Sequence, residues 1–145
     1  MINSILKCLK TLIFLAALTL LAPKAFAFDI DISDSATPDE SAVNQTVAVF
    51  LSSAQSGAVT VNYATANGTA TAGADYTARS GTLTISAGAT TGTIAVTVLA
   101  DSLDEDNETL TMTLSNATNA TIGDATGTFT ITDDDATPSL SINDV

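Results

Sequence analysis

Carboxylates supply nearly all the chemistry available to this sequence. Sixteen Asp and Glu stand against four Lys and Arg, with no His, no Trp and one Cys, for a formal charge of −12. The acids come in runs: Asp101, Asp104, Glu105, Asp106 and Glu108 fall close together, and Asp133, Asp134 and Asp135 are consecutive. Crowded side chains of this kind repel, by about 4 kcal/mol for two unit charges 4 Å apart at an effective dielectric near 20. Protons, water or a cation must relieve that repulsion. Calcium suits an all-oxygen donor set, taking 6–8 oxygens from carboxylates and loop carbonyls. A solvated acidic rim that serves solubility alone is the alternative.

Other chemistries lack their residues. Imidazole acid–base catalysis and zinc sites of the His/Cys kind lack their residues, and thiol chemistry has only Cys8, in the segment expected to be removed. Nucleic acid is excluded as a partner, because phosphate would be repelled. Paired carboxylates also run glycoside hydrolysis, but 5% aromatic residues and no Trp offer no sugar platform. The chain therefore reads as non-catalytic. An EF-hand beginning at Asp101 fails as well: it needs Gly sixth and Glu twelfth, and those positions hold Asp106 and Met112.

Residues 1–27 have the order of a secretory signal. A basic start (Lys7, Lys10) precedes the apolar run Thr11–Ala22, then Pro23, then Ala25-Phe26-Ala27 with small residues where a signal peptidase reads. The run is shorter than the ~20 residues of a membrane span. Cleavage after Ala27 removes Lys7, Lys10, Lys24 and Cys8, leaving Arg79 as the sole cation. The expected location is secreted or cell-surface, with no transmembrane segment in the mature chain.

The elements that must position the acids are strands. Apolar and polar residues alternate over 28–33, 46–51, 59–63, 82–86, 93–99, 109–114 and 127–132. Leu110, Met112 and Leu114 face one way and three threonines the other. Turn signals (Ser56-Gly57, Asn67-Gly68, Gly73, Gly88, Gly92, Gly123) separate the segments. With 46% hydrophobic residues and a mean hydropathy of +0.34, the chain can fill a core. Seven half-buried strands predict an all-β, antiparallel β-sandwich.

Alternating strand direction gathers the acids. Exits of the odd strands carry Asp34, Asp39, Glu40, Asp75, Asp101, Asp104, Glu105, Asp106, Glu108, Asp133, Asp134 and Asp135; exits of the even strands carry only Asp124. One end of the sandwich is expected to be strongly anionic. Beyond it, Ser139-Leu-Ser-Ile-Asn-Asp-Val145 resembles the first strand, Asp31-Ile-Ser-Asp34, with a plain C-terminal extension as the alternative. Residues 136–145 thus read as a linker and the opening strand of a second repeat.

Several linked motifs resemble one family. Val61-Asn-Tyr-Ala-Thr-Ala-Asn-Gly-Thr-Ala70 followed by Ala72-Gly-Ala-Asp-Tyr76 is similar to the signature of Calx-beta domains. Ser80-Gly-Thr-Leu-Thr-Ile85, the Asp101–Glu108 block and the closing Ile131-Thr-Asp-Asp-Asp135 follow in the family's order. The resemblance covers about residues 30–135 and makes 28–135 the domain. It implies a seven-stranded immunoglobulin-like sandwich with calcium in the loops at one end. The ligands it implies are Glu40, Asp75, Asp101, Glu105, Glu108, Asp133, Asp134 and Asp135, with the backbone carbonyl of Leu103. Ala100 departs from the pattern of calcium-binding members, which have an acid there, so fewer ions or weaker affinity is expected. The resemblance implies a calcium-binding structural or adhesion module; the alternative is a metal-independent assembly spacer. Expected partners are calcium ions and neighbouring Calx-beta domains or cell-surface proteins. Tyr63 and Tyr76 are expected in the core or at corners, and Arg79 as a surface partner for the acids.

Overall fold

The computed structural model describes residues 28–36, 40 and 44–142. The expected signal segment (1–27), Asp39 and the last three residues lie outside the described residues. The described chain is all strand and loop: β1 (Asp29–Ile32), β2 (Ser35–Ala36), β3 (Asn44–Leu51), β4 (Val59–Asn67), β5 (Tyr76–Thr77), β6 (Ser80–Ile85), β7 (Thr91–Val98), β8 (Glu108–Thr118), β9 (Thr121–Asp124) and β10 (Thr126–Ile131). Among these residues no helix is long and apolar enough to cross a membrane.

Two five-stranded sheets form the sandwich. One has the order β5-β7-β3-β1-β9, the other β2-β10-β8-β4-β6. Alternation fixes which face each strand buries, since successive side chains point to opposite sides. Val47, Val49 and Leu51 of β3 and Ile94, Val96 and Val98 of β7 line one inner face; Leu110, Met112 and Leu114 of β8 and Phe129 and Ile131 of β10 line the other. Each such side chain contributes roughly 1.5–3 kcal/mol when fully buried. Threonines fill the wet outer positions, where β-branching suits the pleat.

All seven expected strands are present, and the sandwich class holds. The total rises to ten because three short strands (β2, β5 and β9) are added at sheet edges. The first expected strand is β1, and β2 follows it in the other sheet. β1 pairs antiparallel with β3, then the chain crosses and β2 pairs parallel with β10. Asp34 anchors the crossing: its carboxylate accepts the Thr128 N–H at 2.7 Å.

At the other end, β8 runs on to Thr118, with Asn116 (φ 50°) at an irregularity in its pairing with β4, and Asn119 (φ 60°) turns the chain into β9, which pairs parallel with β1. The parallel pairing is fastened by side chains. Asp31 Oδ1 accepts the Asp124 N–H at 2.6 Å, and Asp29 Oδ1 accepts the Thr121 hydroxyl at 2.6 Å. These acids are structural.

The tail forms no strand among its described residues. Leu140 and Ile142 are 92% and 89% exposed, whereas Ile30 and Ile32 of β1 are 0% and 4% exposed.

Candidate metal centre at the acidic end

The ends of β4, β7 and β10 and the start of β8 meet at one pole, and the loops there hold the acids. Glu108 opens β8 opposite Ile131 of β10. It has the parity of Leu110 and Met112, so its carboxylate faces the core side of the sheet, half-buried. Asp75 sits in the turn between β4 and β5. Its carboxylate accepts the Thr71 N–H at 2.6 Å, and its carbonyl accepts the Leu99 N–H at 2.9 Å, which ties the turn to the end of β7. Past β7, Asp101 folds back to accept the Leu103 N–H at 2.7 Å. Asp133 follows β10, and its N–H donates to Asn107 Oδ1 at 3.1 Å. Glu40 approaches from the segment between β2 and β3. It is the one buried charged side chain among the described residues.

Two triads result. Glu40, Asp101 and Asp135 form one; Asp75, Glu105 and Glu108 form the other. In each, one carboxylate oxygen per residue lies within 4.8 Å of the others. Oxygens bound to a single calcium at 2.3–2.6 Å are at most about 5.2 Å apart, so either triad matches part of a calcium shell. Three buried oxygens have no hydrogen-bond partner among the described residues: Glu40 Oε1, Asp133 Oδ1 and Asp135 Oδ2. A buried acceptor without a donor carries its full desolvation penalty. Three at one place fit a cation, which satisfies acceptors without supplying donors.

Electrostatics agree. Loss of water is the main cause raising the Glu40 carboxyl above its ordinary value, with Asp101, Asp135 and Asp133 adding to it; the Asp101 backbone N–H opposes the rise. Glu108 rises to about 7, through burial first, then a hydrogen bond with the Asp75 carboxyl and the charges of Asp75, Glu105 and Glu40. Glu105 is raised by loss of water, then by Asp101, Asp75 and Asp133. The two triads therefore share one field.

Of the nine expected ligands, six fall in the triads. Asp133 adjoins them through its unpartnered oxygen and its charge on Glu40. Asp134 is exposed and belongs to neither triad, and the Leu103 side chain is 61% exposed, its backbone N–H bound to Asp101. Asp34 lies away from the pole on β10, which corrects its placement at the anionic end. Arg79 also differs from expectation. It donates to the Ala95 carbonyl at 3.2 Å, and no ion pair with an acid is formed among the described residues. Its position before β6 lets it cover the part of β7 that the two-residue β5 leaves open. Tyr76 is in the core as expected, 1% exposed; Tyr63 is half-buried against it.

Sequence reading missed two asparagines. Asn67 Oδ1 accepts the Ala72 N–H at 3.0 Å and the Tyr76 hydroxyl at 2.7 Å, and Asn107 holds Asp133. A neutral side chain adds nothing to a charge pattern. The available signal was position, since each adjoins the end of a strand.

No curated protein matches the chain. Among solved structures, it is similar to the apo form of the Calx CBD1 domain, with a TM-score of 0.67 and 24% identity over 75% of this chain and 99% of that one. It is also similar to the calcium binding domain CBD12 of CALX1.1 (TM-score 0.66, 25% identity, 73% of this chain and 46% of that one) and to CBD12 from CALX1.2 (0.67, 25%, 74% and 44%). The family model of the Calx-beta domain matches residues 30–135. With two triads of carboxylates at the loop end of a β-sandwich and a family match spanning most of its length, the chain belongs to the Calx-beta domain family.

Proposed function

We propose that this chain is a secreted or cell-surface module that binds calcium across its acidic pole and has no catalytic role. The observation that carries the reading is the trio of buried, unpartnered oxygens of Glu40, Asp133 and Asp135. The donor set is entirely hard oxygen, it comes from several loops, and structural neighbours include a domain described as calcium binding. Glu40, Asp101 and Asp135 would hold one ion and Asp75, Glu105 and Glu108 another. Bound cations supply positive charge where like charges now oppose each other, and they tie the β4–β5, β7–β8 and post-β10 loops together. The consequence is a stiffer end and a stiffer exit after Asp135, useful in an adhesion or spacer array of neighbouring Calx-beta domains or cell-surface proteins.

Binding to the folded state alone stabilises it by RT ln(1 + [L]/Kd). Melting followed by circular dichroism should give a higher Tm in millimolar calcium than in chelator, and isothermal titration should show heat of binding. Coincident melting curves and a flat titration sink the reading. The exposed Leu140 and Ile142 favour a second reading, a metal-independent assembly module whose tail adds to a neighbour's sheet edge. Deletion of residues 136–145 should then lower the mass seen by light scattering; an unchanged mass defeats it.

A further inference from the structure

We propose that Asn67 is a positioning residue for the Asp75 side of the cation site, acting as an acceptor hub that sets the turn before Tyr76; the inference rests on the calcium reading above. The segment from Gly68 to Asp75 leaves β4 in one sheet and enters β5 in the other, so no ladder fixes its course. Several of its bonds are local. The Ala74 and Asp75 N–H groups donate to the Thr71 carbonyl at 3.1 and 3.0 Å, and Gly73 N–H donates to the Tyr76 carbonyl at 2.8 Å. Thr71 N–H holds the Asp75 carboxylate itself. These bonds shape the turn but do not say where it sits.

Contacts with β7, β8 and β4 place it: Leu99 N–H donates to the Asp75 carbonyl at 2.9 Å, Thr109 N–H donates to Thr69 Oγ1 at 2.7 Å, and two further contacts hold the start and the middle of the turn. Ala70 N–H donates to the Thr109 carbonyl at 2.9 Å, at the root of β8 beside Glu108. Asn67 Oδ1, at the last position of β4, takes both the Ala72 N–H and the buried Tyr76 hydroxyl. An amide N–H can only donate, so the atom facing it must be the oxygen. One oxygen on a rigid strand thus grips the turn at its middle and at its exit. Asp75 lies between those two points, with Thr71 turned toward it.

The role uses the Asn67 oxygen alone; its amide nitrogen makes no hydrogen bond among the described residues. Acceptance, not amide identity, is therefore what the site requires, and a carboxylate serves as well. Outer residues that orient metal ligands typically account for 10–100-fold in affinity.

The test is calcium titration of the full chain and its variants, with folding checked by circular dichroism. Asn67→Leu keeps the bulk and removes the acceptor; its Kd for calcium should weaken by about tenfold or more. Asn67→Asp keeps the acceptor and should bind at least as tightly as the parent. Tyr76→Phe removes only the hydroxyl, keeps the ring in the core, and should weaken binding less, in the same direction. A purely structural role would lower Tm in chelator for Asn67→Leu with Kd unchanged, and that result overturns the proposal, as does an Asn67→Asp variant as weak as Asn67→Leu. A parent chain that takes up no calcium sinks the calcium reading instead. Hydrogen exchange in chelator then decides the hub: faster exchange at the Thr71 and Gly73 amides in Asn67→Leu upholds it, and unchanged exchange overturns it.

Discussion

Glu108 shows how one side chain sets the behaviour of the pole. Its carboxyl rises from an ordinary 4.5 to about 7 because it starts β8 on the core side and shares a hydrogen bond with Asp75. A raised acid contributes stability below its unfolded value and loses it as pH climbs through the folded value. The metal-free domain should therefore melt at progressively lower temperature as pH rises from about 4.5 to beyond 7. Calcium requires the ionised form, so affinity should strengthen across the same window. Differential scanning calorimetry in chelator and titrations at pH 5.5 and 8 check both trends; two flat profiles would refute them. Glu108→Gln retains a hydrogen-bonding amide and removes the charge. At pH 8 it should raise Tm in chelator and shrink the gain produced by calcium. Eight of the nine expected ligands were legible as acids, but the gathering of six of them into two triads was not. Which oxygen lies near which depends on loop paths, and alternation along strands does not encode loop paths.

At the scale of elements, the strands were legible because their cores are strictly alternating: Ile94, Val96 and Val98 are all buried, as are Leu110, Met112 and Leu114. The short edge strands were not. β5 is two residues whose place follows from Tyr76 entering the core, and β2 is two residues whose place follows from Asp34 catching Thr128. Neither is long enough to show a period. The β4–β5 turn also has a steric condition. Gly68 passes so near the Thr109 backbone carbonyl that a Cβ there would collide with it, whereas the space around Gly57 is open. Gly68→Ala should cost about 1–3 kcal/mol of stability, the range for overpacking against a part that cannot yield. Gly57→Ala should leave stability nearly unchanged. Urea denaturation of the two variants makes the comparison, and equal midpoints would contradict the close approach.

On the scale of the whole molecule, charge and strand order act together. The expectation of one anionic end follows from strand direction alone, and the end exists, although Asp34 leaves it and Arg79 does not join it. Burial of Leu110 within both sheets' common core predicts that Leu110→Ala costs about 2–5 kcal/mol. That loss should appear equally with and without calcium, because the residue serves the sandwich and not its loops; a calcium-dependent cost would mean that core and pole are coupled.

The polar concentration of acids has an electrical consequence. Negative charge gathered at one extremity, with Asp29, Asp31, Asp34, Asp124 and Arg79 the charged side chains elsewhere among the described residues, gives the domain a permanent dipole along its strands. Beside a positively charged surface such a body stands on its loops instead of lying on its side. Divalent ions that discharged those loops would also release that orientation, so an event that tightened the tip would set how the domain presents itself.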